Sequence, residues 1–134
     1  MGETPKRANW IGAPEFFNLN FACQAIVAAF GYSCYLVGSS MERKDFRDVD
    51  VRCMLDDGEY DRMFPPTFAG EQRIRNQNLN AAWCLLNSAI SCWLSERTGL
   101  KIDFQFQRQS DANEEHKGKR SALGMFIDTR PSEP

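Results

Sequence analysis

Two stretches of the chain repeat apolar residues at intervals of three and four, which is the period of an α-helix. The first predicts a helix from 16 to 30, followed by Gly31 at the place where a helix ends. The second predicts a helix from 78 to 98, followed by Gly99. The predicted stripes are Phe17, Phe21, Ala25 and Ala28 in the first helix, and Leu79, Trp83, Leu86, Ile90 and Trp93 in the second.

Three shorter segments have the composition or the alternation of β-strands. Residues 32–37 are aromatic and aliphatic, and residues 48–55 begin with a strict polar–apolar alternation. Residues 100–107 place three apolar side chains on one face, namely Ile102, Phe104 and Phe106. These elements predict an α/β (α+β) fold, in which a small mixed sheet of about four strands carries both helices on one face and leaves the other open.

The chain of 134 residues is long enough for one domain. The predicted organisation is an N-terminal arm over 1–15, a core over 16–109 and a polar, partly basic tail over 110–134. Within the core, residues 59–76 contain Pro65–Pro66 and many charges, which favours a short helix or an irregular excursion.

Composition excludes several classes of protein. The net charge of -2 gives no general field for nucleic acid, so such binding would need a local patch. No apolar run approaches the roughly 18 residues of a membrane helix, and no signal core follows the N-terminus, so we expect a cytoplasmic protein with no membrane partner. The five cysteines form no CxxC pair, which favours reduced, mostly buried thiols, and the single histidine, His116, excludes a His-rich metal site within one chain.

Acidic residues stand on the polar faces of two predicted strands. Asp48 and Asp50 are two residues apart and therefore project from the same side, while Asp103 alternates with Phe104 on the third strand. If these strands are neighbours, three carboxylates converge, and such a cluster needs a cation to offset its repulsion. Oxygen ligands alone suit Mg²⁺ or Mn²⁺.

A glycine–serine segment ends the first predicted strand. Gly38 permits close approach of the backbone to a ligand, and Ser39 and Ser40 add hydroxyl groups. No Gly-Lys-Ser/Thr follows, so the segment is not a Walker A loop.

These residues together resemble a known family. An apolar strand at 35–37, then Gly38-Ser39, a spacer from Met41 to Arg47 and Asp48-Val49-Asp50-Val51 are similar to the signature of the polymerase-beta-like nucleotidyltransferases, and Ile102-Asp103-Phe104 matches their third acid in type and order. The resemblance covers about residues 20–108. It looks closest to small stand-alone members of the kind that phages encode.

The resemblance implies a minimal nucleotidyltransferase fold and a metal-dependent transfer of a nucleoside monophosphate from an NTP to a hydroxyl, with release of pyrophosphate. Asp48, Asp50 and Asp103 would hold the metal, and Asp103 would accept the proton of the attacking hydroxyl. The implied phosphate contacts are Gly38, Ser39, Ser40, Arg43, Lys44 and Arg52. The family's usual Arg-Gly after Gly-Ser is absent, and there is no room for an accessory helical domain.

Other interpretations remain open from the sequence. Asp-x-Asp is usually a solvated strand face, and Gly-Ser is usually a turn. The same site would also suit a non-catalytic nucleotide- or nucleic-acid-binding module, an antitoxin-like or inhibitor protein that masks a partner, or a metal-dependent nuclease. The acceptor would be a nucleic acid or a protein, and a homodimer or a partner protein would complete its site. The basic cluster at 117–120, the pair Gln105 and Gln107, and a stacking platform of Trp83, Trp93 and Phe106 are further candidates for ligand contact.

Overall fold

The computed structural model describes residues 9–74 and 80–125. The helices are α1 (Ala13–Phe30), α2 (Asp57–Met63), α3 (Ala81–Thr98) and α4 (Gln109–Glu115). The strands are β1 (Cys34–Val37), β2 (Val49–Leu55), β3 (Thr67–Ala69), β4 (Gln72–Ile74), β5 (Ile102–Arg108) and β6 (Ser121–Leu123). Leu79, the first residue of the predicted stripe of the second helix, lies outside the described residues.

The main sheet has four strands in the order β5-β2-β1-β6. β2 and β5 are parallel, whereas β1 is antiparallel to both β2 and β6. Helices α1 and α3 pack on one face, where their side chains join those of the strands in a single core. The prediction of a mixed sheet with helices packed against it is therefore confirmed.

The core lies under α1 and α3 because the strands alternate as predicted. Val49, Val51 and Cys53 of β2 are fully buried, and so are Phe104 and Phe106 of β5. The rings of Phe104 and Phe106 meet edge to face with centroids 5.1 Å apart, a favourable arrangement for aromatic pairs. The opposite face of both strands is left for polar side chains.

Helix α1 buries a different face from the aromatic stripe seen in its sequence. Phe17 and Phe21 are 68% and 66% exposed, and the buried face consists of Leu19, Ala22, Cys23 and Ile26. The chain just after β6 approaches the backbone of this helix closely at Gly124, where a Cβ atom would lie 2.7 Å from the Cys23 carbonyl oxygen. Close packing against the sheet therefore outweighs the burial of two phenylalanines.

The edge strand β5 is covered by side chains of α3 instead of a fifth strand. Its backbone N–H groups at Phe106, Phe104 and Ile102 donate to Asn87 Oδ1 (3.0 Å), Ser91 Oγ (2.8 Å) and Ser95 Oγ (3.1 Å). The three acceptors are four residues apart, so they lie on one face of α3. This polar stripe, Asn87–Ser91–Ser95, satisfies an edge that would otherwise pair with another chain.

Both predicted flanking segments contribute to the packed structure. In the arm, Ile11 is 3% exposed, and the N–H of Trp10 donates to the Ser40 carbonyl at 2.8 Å. In the tail, β6 completes the sheet, and α4 packs on the polar face, where Ala112 contacts a small apolar cluster. Neither α4 nor β6 is among the predicted elements, because their segments lack apolar periodicity.

The ambiguous segment after β2 forms α2 and the β3–β4 hairpin. Arg108 ties α2 to the end of β5, with its Nε 3.1 Å from Asp61 Oδ1 and its Nη1 3.2 Å from Asp57 Oδ2. Arg73 of the hairpin pairs with Asp111 of α4 at 2.6 Å. The charges of this segment are thus largely paired within the fold.

Three of the cysteines, Cys23, Cys34 and Cys53, are buried as the composition indicated, whereas Cys92 is exposed. Hydrogen bonding to Cys34 and burial raise the pKa of both Cys23 and Cys53, which keeps these thiols protonated. Across residues 9–74 and 80–125, no helix is both long enough and apolar enough to cross a membrane.

The polar stripe of α3 makes a prediction for stability. Ser91→Ala removes the partner of the Phe104 N–H and should lower the free energy of unfolding by about 1–3 kcal/mol, the usual cost of an unsatisfied buried donor. Ser88→Ala on the exposed side of the same helix is the matched control and should change it by less than about 0.5 kcal/mol. Urea unfolding of the two variants compares them, and equal losses would contradict the proposed edge role.

Candidate active site

Two of the predicted carboxylates face each other across adjacent strands. Asp50 of β2 is in register with Asp103 of β5, and the parallel pairing extends along both strands. Because residues two apart share a face, both side chains project from the polar side of the sheet, opposite α1 and α3. The condition set by the sequence, that the two acidic strands be neighbours, is therefore met.

Asp48 stands just before β2 at the edge of this group. Its Oδ1 is 3.2 Å from Nζ of Lys101, which precedes β5. That oxygen is buried, yet it accepts no hydrogen bond of good geometry from the residues in view. The ion pair is therefore close in distance but poorly aligned, and Lys101 itself is largely exposed at 80%. Sequence reasoning did not single out Lys101, although its position beside Ile102 places it next to Asp48.

Arg52 occupies the space between the two facing carboxylates. Its Nη2 lies 3.5 Å from Asp103 Oδ2 and 3.9 Å from Asp50 Oδ1, and its side chain is only 10% exposed. Its Nη1 donates to the Asp103 carbonyl at 2.7 Å and to the Val51 carbonyl at 3.1 Å. Of the two roles expected for Arg52, pairing with a carboxylate is the one its geometry supports.

Gly38 packs directly against the Asp50 carboxylate. Its backbone has φ +81° and ψ -156°, a combination open almost only to glycine. A Cβ atom at this position would lie 2.3 Å from Asp50 Oδ2. After it, a 3₁₀ turn runs from Ser39 to Met41. Glycine is therefore required at position 38 for two reasons, namely the backbone conformation of the turn and the close approach of the Asp50 carboxylate.

The remaining phosphate-binding candidates fall into different environments. Ser39 is half-buried at the start of the turn, but Ser40 is fully buried, and its Oγ has no partner in the described part of the chain. The Ser40 hydroxyl thus faces the interior and is not presented to a ligand. Arg43 and Lys44 are exposed, and Arg43 Nε is 3.9 Å from Asp45 Oδ1.

The other residues predicted to contact a ligand, which are the two glutamines, the aromatic set and the basic cluster, also lie in different environments. Gln107 is buried and donates to Glu115 Oε2 at 2.8 Å, and Phe106 is in the core. Trp93 carries the guanidinium of Arg97 over its ring. Of the basic cluster, Arg120 bonds the His116 carbonyl at 3.1 Å, so part of it is structural. Trp83 donates its indole N–H to the Phe106 carbonyl at 3.0 Å, and both Trp83 and Gln105 are partly buried beside an open cleft.

The environment of Asp50 disfavours its charge. Burial raises the pKa of its carboxyl group, Arg52 opposes that rise, and the negative charges of Asp103 and Asp48 add to it. A net upward shift means that the guanidinium does not fully compensate for lost hydration and like-charge repulsion. Such a group gains from an additional cation.

The donor set fits a hard cation in its chemistry. Asp50 and Asp103 offer oxygen ligands of the kind that Mg²⁺ and Mn²⁺ take, on one face and in register. Within the described ranges, no three His, Cys, Asp or Glu side chains are arranged as a metal-binding group. In this conformation Arg52 supplies the positive charge between the carboxylates, so a metal ion would have to displace its guanidinium.

The raised pKa gives a prediction for stability against pH. Because the folded-state pKa of Asp50 lies above its unfolded value, ionised Asp50 costs folding free energy at neutral pH, and the cost disappears as the pH falls below the unfolded value of about 3.9. Asp50→Asn should therefore raise the melting temperature at pH 7 by about 2–4 °C. The gain should shrink toward pH 4. Asp45→Asn, at a side chain 86% exposed, is the control and should change little; a lower melting temperature for Asp50→Asn at pH 7 would refute the assignment.

Comparisons of the chain with models of known families, with curated proteins and with solved structures gave no match.

Proposed function

We propose that the protein is a metal-dependent nucleotidyltransferase, which transfers a nucleoside monophosphate from an NTP to a hydroxyl acceptor. The observation that carries the proposal is the contact of Gly38 with the Asp50 carboxylate, beside an in-register Asp103. A solvated strand face would not require a glycine-only backbone at its edge, nor would it bury one of its carboxylates against that backbone.

The order of groups across the sheet fits this reaction. β1 ends at Gly38, β2 carries Asp50 and β5 carries Asp103, and adjacent strands are about 4.8 Å apart. The glycine–serine turn would hold the triphosphate, and Asp103 would lie on the side from which a hydroxyl attacks. A divalent cation held by Asp50, Asp103 and Asp48 would neutralise the triphosphate and polarise the α-phosphate.

The chain's own groups then have separate roles. The Asp103 carboxylate accepts the proton of the acceptor hydroxyl as its oxygen bonds to the α-phosphorus. The bond from that phosphorus to the oxygen bridging to the β-phosphate breaks, and pyrophosphate leaves with the electron pair. Arg52, which pairs with Asp50 and Asp103 in this structure, would contact the leaving phosphates once it is released from them.

A nucleotide-binding module without turnover is the second candidate. The observation that favours it is the pairing of Arg52 with both carboxylates, since a guanidinium fixed by two backbone carbonyls resists displacement by a metal ion. In that case the site would bind nucleotide through Arg52 and Gly38 and release no pyrophosphate.

Calorimetry with each of the four NTPs, with and without Mg²⁺ or Mn²⁺, tests the site. Metal-dependent binding should be lost in Asp48→Asn/Asp50→Asn, because the variant replaces two negatively charged carboxylate ligands with neutral amides. Glu42→Gln/Asp45→Asn removes the same charge from exposed positions and should bind as the wild type does. Pyrophosphate release by the wild type would establish transfer or hydrolysis, and its absence with intact binding would favour the module. If no NTP binds under any condition, the proposal fails.

Substitution of the loop glycine tests the geometry. Gly38→Ala should weaken NTP binding at least about ten-fold, since its Cβ would displace the Asp50 carboxylate. Gly31→Ala is the matched control, because Gly31 also has a positive φ of 78° but no atom within 4 Å of the added Cβ. The control should lose stability, by about 1–2 kcal/mol, without losing affinity. Equal NTP affinity in Gly38→Ala and wild type would contradict the role of this contact.

A further inference from the structure

A cleft of about 490 Å³ lies between α3 and the outer edge of β5. It is open to solvent on one side, and its volume is in the range of ligand sites in proteins. Asp103 forms part of its wall, so the cleft begins at the candidate active site. The other residues that line it are Trp83, Cys84, Asn87, Ser88, Ser91, Ile102, Phe104 and Gln105.

The cleft lies on the far side of Asp103 from the glycine–serine turn. The order across the sheet is Gly38 at the end of β1, Asp50 on β2, Asp103 on β5 and then the cleft. If the triphosphate is held at Gly38, a molecule in the cleft would present its reactive group to the α-phosphate from the Asp103 side. The cleft is therefore in the position of an acceptor site.

The walls of the cleft are neutral apart from Asp103. Of the nine lining residues, four carry hydroxyl or amide groups and four are apolar, including Trp83, and the lining contains no lysine or arginine. A nucleic-acid acceptor would place its phosphates in a cleft whose lining contributes a carboxylate and no lysine or arginine, contrary to the way proteins hold that backbone. An uncharged chain with amide groups meets no such repulsion.

Asn87 adds a specific hydrogen-bonding group to this wall. The residue is only 7% exposed, and its Oδ1 accepts from the Phe106 N–H, which fixes the amide plane. Its Nδ2 is buried and has no acceptor among the residues that the structure describes. An amide donor left over just beneath a cleft wall would be satisfied by a carbonyl oxygen that inserts into the wall, and every residue of a polypeptide carries one.

We propose that this cleft is the acceptor site and that it takes a polypeptide segment, whose Ser, Thr or Tyr hydroxyl receives the nucleotide. The inference rests on the proposed function and specifies its acceptor. The side-chain oxygen bonds to the α-phosphorus of the NTP, its proton passes to Asp103, and pyrophosphate leaves. The product is a phosphodiester between the peptide hydroxyl and the nucleoside monophosphate.

The test uses two acceptor pools with wild-type protein and two variants. The pools are neutral random peptides containing Ser, Thr and Tyr, and single-stranded DNA and RNA 10-mers with free 3′-hydroxyls, each incubated with α-³²P-labelled NTPs and Mg²⁺ or Mn²⁺. Ser88→Trp fills the cleft from an exposed position in its wall, and Ala89→Trp, also exposed, adds the same ring outside the lining. NTP affinity is measured in parallel by calorimetry. The NMR signal of the Trp83 indole N–H reports the binding of peptides in the absence of nucleotide.

We expect label on peptides, a shift of the Trp83 signal with the peptide pool, and at least a ten-fold loss of peptide labelling in Ser88→Trp with NTP affinity within two-fold of wild type. Ala89→Trp should label peptides as the wild type does. Three results would overturn the acceptor assignment: label on the oligonucleotides, label on neither pool, or equal labelling of peptides by Ser88→Trp and the wild type. Each of them would leave the nucleotide site standing. If the wild-type protein itself binds no NTP, the proposed function fails.

Discussion

The parallel pairing of β2 with β5 is the constraint on which the rest of the structure depends. It joins two strands that are far apart in sequence, and its register alone places Asp50 opposite Asp103. A shift of either strand by one residue would turn its own carboxylate toward the core and its apolar residue, Val51 or Phe104, toward the polar face. The burial of those apolar side chains under α1 and α3 therefore fixes the geometry of the polar face.

Arg52 stabilises the polar face by pairing with Asp50 and Asp103, and it also occupies the space that a metal ion would need. Arg52 offsets the repulsion between the facing carboxylates, but the pKa of Asp50 is still raised, first by burial. A site of this kind is less stable than a neutral surface would be, which is common where function requires charges to converge. The same arginine is the group that a metal ion would displace, so the two proposed functions differ in whether a metal ion replaces Arg52 between the carboxylates.

Helix α3 links the sheet edge to the cleft. Its polar stripe, Asn87–Ser91–Ser95, satisfies the backbone of β5 and so removes the need for a further strand. Because side chains and not a strand cover this edge, space remains between the helix and Asp103 for another molecule. One structural solution to an edge strand thus also produces the neutral pocket beside the candidate active site.

The sequence by itself determined the two long helices, the three central strands and the direction of Asp50 away from the buried Val49 and Val51, since all of these follow from local periodicity. It did not determine that α1 turns Phe17 and Phe21 outward or that Ser40 is buried, because the orientation of a helix or a turn depends on what packs against it. The pairing of Arg52 with Asp50 and Asp103 and the cleft beside β5 were likewise decided only by the tertiary structure. These features join residues on different elements, whose distance and direction no periodicity along the chain records.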